Sequence, residues 1–227
     1  MQRFFDILLS LVFFFLLSPI FIFCIIFLRI TGEKEVFFYQ QRVGKDGKLF
    51  NLIKFATMLK NSPNLLSGTI TLKNDPRILP LGNFLRKSKI NEIPQLFNIL
   101  KGDMSFIGPR PQTERCFSAF SKAVKSELVK VRPGLSGIGS IVFRNEEQIL
   151  AYSKDYDYFY DNVIMPYKGT LETWYVNNKS LFLYFLLIGL TVFIIFSNKT
   201  SVLWKILKNL PLPPYELRDK GFIHINF

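Results

Sequence analysis

An apolar run at residues 7–28 constrains the fold of this chain more than any other feature, since only Ser10, Ser18 and Pro19 interrupt it. As a helix rising about 1.5 Å per residue, it would reach roughly 33 Å, enough to cross the hydrocarbon core of a bilayer. Pro19 removes a backbone hydrogen bond in mid-run, and the Ser18 hydroxyl can satisfy one carbonyl while bending the helix. The run therefore predicts a kinked, Ser-Pro broken, re-entrant membrane helix within residues 1–30.

The charges on either side of this run indicate its orientation. Arg3 precedes the run, and six basic residues follow it: Arg29, Lys34, Arg42, Lys45, Lys48 and Lys54. Because basic residues concentrate on the cytoplasmic side of membranes, the downstream domain is predicted to be cytoplasmic, and Arg3 favours the same side for the N-terminus. A cleaved signal peptide is the alternative, but the apolar core is too long and no A-x-A-like site follows it.

Two segments near the C-terminus are also predicted to contact the membrane. Residues 181–196 are apolar on every side, yet they reach only roughly 24 Å, which is short for a full crossing. Residues 202–210 place Trp204, Lys205 and Lys208 among aliphatic side chains, as an interfacial amphipathic helix does. The PLPP sequence that follows is predicted to be extended.

Composition narrows the class of partner. The 227 residues carry a net charge of +12, which calls for an anionic partner such as lipid headgroups, nucleic acid or a phosphorylated substrate. A membrane-tethered nucleic-acid binder would explain the charge, but no binding motif of that kind is present, so no nucleic-acid partner is expected. Cys24 and Cys116 are far apart and His224 stands alone, so any metal is expected to be a hard ion with oxygen ligands.

The middle of the chain mixes strand and helix patterns, which predicts a mainly helical α/β fold. Residues 36–58 alternate apolar and basic side chains around GKDG, as a β-hairpin does, and residues 61–73 are predicted to form a loop. The glycine-rich residues 131–140 form either a plain turn or a close approach of backbone to a ligand. The predicted organisation is a membrane helix at 1–30, a cytoplasmic catalytic domain at 31–180 and membrane-associated helices with a tail at 181–227.

Residues 74–111 concentrate charge around one short predicted helix. Four apolar residues recur at helical spacing: Ile93, Leu96, Phe97 and Leu100. Asn91 is suited to the N-cap, Glu92 to the positive end of the helix dipole, and Gly102 to the end of the helix. The purely structural interpretation is that Asn91 and Glu92 are a cap and nothing more.

A ring of basic residues gives this helix start a second interpretation. The ring consists of Arg77, Arg86, Lys87, Lys89, Lys101 and Arg110. A helix start surrounded by guanidinium and ammonium groups binds anions, and phosphate in particular, because Arg contacts its oxygens bidentately. Among so many anion-binding groups, the carboxylate of Glu92 is suited to hold Mg²⁺ or to attack phosphorus.

The motifs in this stretch resemble those of the bacterial sugar transferases, specifically the small monotopic phosphoglycosyl transferases. They are DPRI, GNFLRKS, NEIPQLFNILKGDMS and IGPRP, in this order and spacing. The likeness extends to Ser18-Pro19, to VFFYQQRVGKDGKLFNLIKFATM at residues 36–58, to VRPGLSG at 131–137 and to WYVNNKSL at 174–181. The resemblance thus covers most of the chain.

This resemblance implies a specific reaction. Such enzymes move a sugar phosphate from a UDP-sugar to a polyprenol (undecaprenyl) phosphate, with Mg²⁺, at the cytoplasmic face of the bacterial inner membrane. The products are a polyprenol diphosphate sugar and UMP, in the first membrane step of polysaccharide, O-antigen or capsule synthesis. The implied architecture is monotopic, with a re-entrant helix that holds the active site at the depth of the polyprenol phosphate head.

In the family, an Asp-Glu pair opens the central helix. The Asp attacks the β-phosphate to give a covalent intermediate, and the Glu assists through the metal. This sequence keeps Glu92 but has Asn91 in place of the Asp, and a carboxamide cannot form the ordinary acyl phosphate. Three accounts stay open: Glu92 attacks or acts as a base for direct transfer, the chain binds a nucleotide or lipid-linked sugar without catalysis, or residue 91 carries a substitution.

The predicted site therefore combines a carboxylate with a set of cations. Glu92 is expected to act with Mg²⁺ beside Asn91, and four residues are expected to neutralise the diphosphate: Lys54, Arg77, Arg86 and Arg110. Lys54 and Thr57 lie in KFATM, where the resemblance implies contact with the nucleotide sugar. The alternative for that segment is a basic hairpin that lies on anionic headgroups.

Overall fold

The computed structural model describes residues 1–31, 33–62, 75–151 and 155–218, and within them the chain is mainly helical with two small sheets. The helices are α1 (Gln2–Ile30), α2 (Pro80–Lys87), α3 (Gln95–Lys101), α4 (Glu114–Ser118), α5 (Lys122–Leu128), α6 (Ile138–Val142), α7 (Glu146–Ala151), α8 (Tyr156–Phe159), α9 (Met165–Asn177), α10 (Leu181–Ser197), α11 (Val202–Ile206) and α12 (Tyr215–Arg218). The strands are β1 (Phe37–Val43), β2 (Leu49–Phe55), β3 (Ser105–Ile107) and β4 (Gly134–Ser136). The predicted loop at residues 61–73 lies almost entirely outside the described residues, and so does His224.

The first helix, α1, runs without interruption for 29 residues. Pro19 lies inside it and has no N–H to donate to the carbonyl four residues earlier, which belongs to Phe15. The Ser18 hydroxyl donates to that same carbonyl at 2.8 Å. The compensation expected from Ser18 is therefore confirmed. The helix is continuous through the Ser-Pro pair, so the break predicted there does not interrupt it. The re-entrant path in the membrane stays a prediction.

One side of α1 packs against the rest of the protein from its first turn to its last. At the start, Gln2 Nε2 donates to Ser105 Oγ at 2.8 Å. In the middle, the ring centroids of Phe14 and Phe97 lie 5.0 Å apart, and near the end Leu28 is only 4% exposed. The other side exposes large apolar side chains: Phe4, Leu8, Leu11, Phe15, Leu16, Ile22, Phe23, Ile26 and Ile30. An apolar face of this extent is typical of a surface that lipid or protein covers.

Strands β1 and β2 form the antiparallel hairpin that the GKDG turn predicted. Phe37 pairs with Phe55 at the open end and Val43 with Leu49 at the turn. Within the turn, Gly47 has φ +73°, a backbone conformation that glycine adopts without strain. Because side chains alternate across a strand, every second residue of β1 and its paired residues on β2 lie on the same face of the hairpin.

The glycine-rich segment after residue 131 lies against the IGPRP loop. Strand β4 pairs in parallel with β3, and a Cβ on Gly134 would lie 2.1 Å from the backbone nitrogen of Gly108. A Cβ on Gly108 would likewise lie 2.5 Å from the Arg132 carbonyl oxygen. Gly134 and Gly108 thus allow two backbone segments to pack against each other. This packing differs from both alternatives expected from the sequence, a plain turn and a close approach of backbone to a ligand.

The C-terminal helices pack on the same core. Among the described residues, α1 is the helix long and apolar enough to cross a membrane, whereas α10 is apolar but has 17 residues. The predicted helix at 202–210 is shorter than expected, because α11 ends at Ile206. The segment after it is anchored to α9, since Tyr167 Oη donates to the Pro211 carbonyl at 2.9 Å. Leu217, in α12, is fully buried.

Candidate functional site

The start of the central helix differs from the sequence prediction. Lys89 has φ 60°, a 3₁₀ turn covers Ile90–Glu92, and α3 begins only after Pro94. The expected N-cap role of Asn91 is therefore wrong. An Asn91 cap would need the N–H of Ile93 or of Pro94, but Ile93 N already donates to Ile90 O at 3.1 Å and proline has no N–H. The predicted end is confirmed, because Gly102 follows α3 with φ 98°.

A cavity of about 850 Å³ opens beside this turn. Among the described residues that line it, eight are basic: Arg42, Lys54, Arg86, Lys87, Lys89, Arg110, Arg144 and Lys168. Three acidic residues line it as well: Glu92, Glu146 and Glu147. Because cations outnumber acids by more than two to one, the electrostatics of this cavity favour an anionic ligand.

Glu92 and Arg110 both line the cavity and pair with each other. Arg110 Nη2 lies 3.5 Å from Glu92 Oε1, and the Glu92 side chain is only 13% exposed. Burial opposes ionisation of this carboxyl, but the charges of Arg110, Lys54 and Lys89 outweigh burial and lower the pKa of Glu92 to about 2. Glu92 is therefore a carboxylate at any physiological pH, which suits it to hold a cation and makes it a weak base.

Lys54 lines the cavity beside Glu92. Burial lowers the pKa of its ammonium group to about 7, although the nearby Glu92 carboxylate opposes the shift. Lys54 therefore changes charge near neutral pH, unlike an ordinary lysine. An anion in the cavity would favour its charged form.

Arg42 belongs to the site although the sequence argument assigned it no role there. Its Nη1 donates to the Pro111 carbonyl at 3.0 Å and its Nη2 to Gln40 Oε1 at 2.5 Å. Burial, followed by the charge of Arg110, lowers the pKa of Arg42 to about 10. The alternation of side chains along β1 could have predicted that Arg42 belongs to the site. Phe38, Gln40 and Arg42 lie on one face of β1, and they line the cavity together with Lys54 of β2.

Three buried polar atoms at the cavity have no hydrogen-bond partner among the described residues: Asn91 Oδ1, Arg42 Nε and Ser140 Oγ. Buried polar atoms are normally paired, because an unpaired one costs about 1–3 kcal/mol of stability. Their residues all line the same cavity, so these unpaired polar atoms are concentrated around one site.

Asn91 and Glu92 also fit a magnesium ion. No group of three or more His, Cys, Asp or Glu side chains suited to a metal occurs among the described residues. Mg²⁺ is commonly held by one or two protein oxygens together with water and substrate phosphates, so such a group is not required. The ionised Glu92 and the unpaired Asn91 amide oxygen are oxygen donors of the required kind.

The other two predicted substrate-binding residues have different positions. Arg86 lies at the cavity, where its Nη2 pairs with Glu147 Oε1 at 3.2 Å. Arg77 is not among the described residues that line the cavity, and its guanidinium pairs with Asp75 at 2.5 Å with both side chains 2% exposed. The position of Arg77 thus gives no support to its predicted role in neutralising a diphosphate.

Helix α9 contributes two residues that the sequence argument did not identify. Lys168 Nζ pairs with Glu146 Oε1 at 2.5 Å, and its ammonium lies 5.1 Å from the Phe143 ring centroid. Glu172, one turn further along α9, accepts a hydrogen bond from the Arg110 backbone N–H at 3.3 Å. Neither residue belongs to a motif that marks a site, and the fold alone brings Glu172 against Arg110 and Lys168 to the cavity.

Comparison with known proteins shows the family of this chain. The family model for bacterial sugar transferases matches residues 1–198. The chain is 34% identical over 199 residues to an undecaprenyl-phosphate galactose phosphotransferase of Salmonella typhimurium, covering 80% of this chain and 37% of the relative. It is 32% identical over 195 residues to the exopolysaccharide production protein ExoY of Rhizobium meliloti, covering 80% of this chain and 79% of the relative.

A third relative comes from Aeromonas hydrophila. It is a UDP-N-acetylgalactosamine-undecaprenyl-phosphate N-acetylgalactosaminephosphotransferase, 33% identical over 193 residues that cover 84% of this chain and 42% of the relative. The chain thus spans less than half the length of the Salmonella and Aeromonas proteins. Since the family model matches most of the chain and the expected motifs surround a cationic cavity, this protein belongs to the bacterial sugar transferase family.

Proposed function

We propose that this chain transfers a sugar phosphate from a UDP-sugar to polyprenol phosphate and releases UMP, in glycoconjugate synthesis. The observation that carries the proposal is one cavity whose lining is partly cationic and partly apolar. Arg110 and Lys54 belong to the cationic part, and residues of α1 and α10 belong to the apolar part. A nucleoside diphosphate requires the cationic part, whereas a phosphate on a long hydrocarbon chain requires both.

The apolar part of the lining supports a lipid-linked acceptor. It includes Phe13 and Leu17 of α1 and Ile188, Val192 and Ile195 of α10. Val192 and Ile195 are also among the exposed apolar residues of the protein. We therefore expect a hydrocarbon chain to contact these residues while its phosphate head lies beside the cations.

The cationic part of the cavity lining supports a diphosphate donor. Arg110, Lys54 and Lys89 carry the positive charges that hold the pKa of Glu92 low, so they act on the same small volume. Phosphoryl transfer needs chiefly positioning and stabilisation of negative charge, which this cluster supplies. The Salmonella and Aeromonas relatives are named as phosphotransferases with undecaprenyl phosphate, and the Aeromonas name also specifies a UDP-sugar.

The reaction we propose is a direct displacement at the β-phosphorus. An oxygen of the acceptor phosphate forms the new P–O bond, the bond to the bridging oxygen of UMP breaks, and UMP leaves with that electron pair. The acceptor oxygen already carries negative charge, so the step needs no strong base, in keeping with the low pKa of Glu92. Arg110 and Lys54 balance the charge that grows on UMP.

Mg²⁺ supplies further charge neutralisation of the diphosphate when bound. Glu92 would hold the ion with its carboxylate and Asn91 with its amide oxygen. On this account Asn91 would act as a metal ligand and would lack the nucleophile that the family resemblance implies at this position.

A monotopic arrangement on the cytoplasmic face is part of the proposal. The Asp6 carboxylate accepts from Ser105 Oγ at 2.8 Å and from Tyr184 Oη at 2.9 Å, which ties the start of α1 to β3 of the catalytic domain and to α10. Leu28 is buried against the same domain at the other end of α1. Because both ends of α1 contact one domain, the helix fits a path that enters and leaves one leaflet.

The function is tested by measuring UMP release with a panel of UDP-sugars, polyprenol phosphate and Mg²⁺. We expect the chain as given to release UMP, Glu92→Ala to abolish release, and Asn91→Asp to keep or raise it. Glu127→Ala is the matched control, because Glu127 pairs only with the exposed Lys130 among the ion pairs described, on α5. Full activity of Glu92→Ala would refute the role of Glu92.

Two further outcomes distinguish the alternatives. If mass spectrometry finds a sugar phosphate on Glu92 after incubation without acceptor, transfer is covalent and the direct displacement is wrong. The carboxamide of Asn91 also allows a non-catalytic protein. If the chain binds UDP-sugar but releases no UMP, while Asn91→Asp releases it, the protein binds sugar nucleotide without turnover.

The topology has its own test. We expect an epitope fused before Met1 and a cysteine from Lys34→Cys to be accessible to impermeant reagents only from the cytoplasmic side. Cys24 and Cys116 are both buried, so they add little background labelling. Labelling of the two ends from opposite sides would show that α1 spans the membrane.

A further inference from the structure

Glu172 is a buried carboxylate that the proposed reaction does not use directly. It lies on α9 with 3% exposure and is not among the described residues that line the cavity. Its Oε1 accepts a hydrogen bond from the Arg110 backbone N–H at 3.3 Å, and the Gly139 backbone amide lies close enough to the carboxylate to lower its pKa. One side chain thus contacts two segments that line the cavity.

Gly139 shows how closely these groups pack. A Cβ at this position would lie 2.4 Å from Glu172 Oε1 and 3.1 Å from Glu172 Cδ, and the three nearest heavy atoms all belong to Glu172. Any side chain at residue 139 would therefore displace the carboxylate from the two amides. Gly137 makes a looser approach, with its Cβ position 3.7 Å from Glu172 Oε2.

Burying the Glu172 carboxylate is energetically unfavourable, and its charged surroundings agree with a functional role for it. Burial raises the pKa of Glu172 to about 7, although the backbone amides of Arg110 and Gly139 and the charges of Lys168 and Arg110 oppose the shift. Its Oε2 is buried without a hydrogen-bond partner among the described residues. A carboxylate that only stabilised the fold would be expected to have both oxygens paired.

We propose that Glu172 is a positioning residue, which holds the Arg110 backbone against Gly139 so that the Arg110 guanidinium faces Glu92 and the donor diphosphate. This inference rests on the proposed function, because the substrate of Arg110 is taken from it. Glu172 touches no substrate and acts only through Arg110. A misplacement of about 1 Å at a catalytic group costs up to about a hundredfold in rate.

The test combines four variants of the full chain in membranes: Glu172→Ala, Glu172→Gln, Gly139→Ala and the double variant Glu172→Ala/Gly139→Ala. We expect Glu172→Ala to lower kcat for UMP release by about 10- to 100-fold. Glu172→Gln keeps an oxygen acceptor for the two amides, so it should retain activity within about fivefold. Gly139→Ala should resemble Glu172→Ala, because its new methyl group displaces the carboxylate.

The double variant separates positioning from general damage. With the Glu172 side chain removed, the Gly139 methyl group no longer meets the atoms that crowd it, so the double variant should be no worse than Glu172→Ala alone. Wild-type activity of Glu172→Ala, equal losses in the Gln and Ala variants, or additive losses in the double variant would each overturn the proposal.

Binding of UDP, followed by calorimetry, keeps this inference distinct from the proposed function. If the unaltered chain releases no UMP from any UDP-sugar, the proposed function fails, and UDP affinity then replaces turnover as the readout for the same variants. We expect about tenfold weaker UDP binding in Glu172→Ala and near-normal binding in Glu172→Gln. Unchanged UDP affinity in all four variants would overturn the positioning role by itself.

Discussion

Arg77 and Arg110 come from the same basic stretch of sequence and were given the same predicted task, yet the fold uses them differently. The Arg77 fork is directed at Asp75, through Nε at 2.8 Å and Nη2 at 2.5 Å, and Nη1 donates to the Ser62 carbonyl. The Arg110 side chain is 36% exposed, lines the cavity and lies 3.5 Å from Glu92. Arg77 is therefore hydrogen-bonded to nearby protein groups, whereas Arg110 faces the cavity in which a ligand fits.

The comparison shows that the number of cations in a motif does not measure the number of ligand contacts. A guanidinium that is bonded bidentately to a buried carboxylate is occupied by its partner and contributes to structure. Asp75 stands two residues before Arg77, so this pairing was available from the sequence as a local alternative to phosphate binding. Arg110 has no acidic residue as near in the sequence, and its partner Glu92 comes from another turn of the chain.

The largest expected effect is on stability, from Arg77→Met. This change leaves the Asp75 carboxylate buried without its guanidinium partner, which costs about 3–5 kcal/mol of unfolding free energy. Chemical denaturation in detergent micelles measures the loss, and the double variant Asp75→Asn/Arg77→Met should recover part of it. Normal stability together with lost UDP binding would show that Arg77 belongs to the site after all.

The next effect is on turnover, from Arg110→Gln. Removing this cation from the reacting diphosphate should lower the rate of UMP release by about 10²- to 10³-fold. The stability change should be smaller than that of Arg77→Met, since Lys54 and Lys89 still face Glu92. Arg115→Gln serves as the control, because Arg115 pairs with Asp157 and Asp161 and does not line the cavity among the described residues.

A smaller effect is expected from pH, through Lys54. Since its folded-state pKa is about 7, Lys54 loses its charge as pH rises above 7, and the KM for UDP-sugar should rise by up to about tenfold per pH unit. Lys54→Arg stays charged, so its KM should be nearly constant from pH 7 to 9. A pH-dependent KM that is identical in both proteins would assign the effect to another group.

The same lowered pKa has a defined sign for stability. The unfolded chain holds the Lys54 proton up to the ordinary value of 10.5, whereas the folded protein releases it near 7. The unfolded state therefore binds more protons in that window, so the contribution of Lys54 to unfolding free energy increases as pH rises from about 7 to 10.5.

The smallest effect is expected from Arg86→Gln. The role of Arg86 is intermediate between those of Arg77 and Arg110. Arg86 lines the cavity but already pairs with the half-exposed Glu147, so it has only part of its charge to offer a ligand. We expect a rise in KM of a few fold and a stability change below about 1 kcal/mol, as for other surface ion pairs. A loss as large as that of Arg110→Gln would mean that Arg86 contacts the diphosphate directly.

Local chemistry made several features predictable from the sequence. Ser18 compensates the carbonyl that Pro19 leaves unpaired, the GKDG turn closes the hairpin, and Gly102 ends α3, because each depends on residues within one turn. The Asn91 cap failed because it needed the N–H of residue 93 or of residue 94, and the Ile93 N–H was already bonded while Pro94 has none. The position of Arg42 at the site could also have been predicted, because strand alternation places Arg42 on the same face of the hairpin as Lys54.

The sequence by itself determined that this chain carries an apolar helix, a basic motif around Glu92 and the signature of the bacterial sugar transferases. These are properties of composition, spacing and short-range hydrogen bonding. Only the tertiary structure decided that Arg77 is bonded internally, that Arg110 faces Glu92, and that Glu172 lies behind it. Residues 62 positions apart meet there because the parallel pairing of β3 with β4 and the packing of α9 bring separate segments together, and no local pattern encodes that distance.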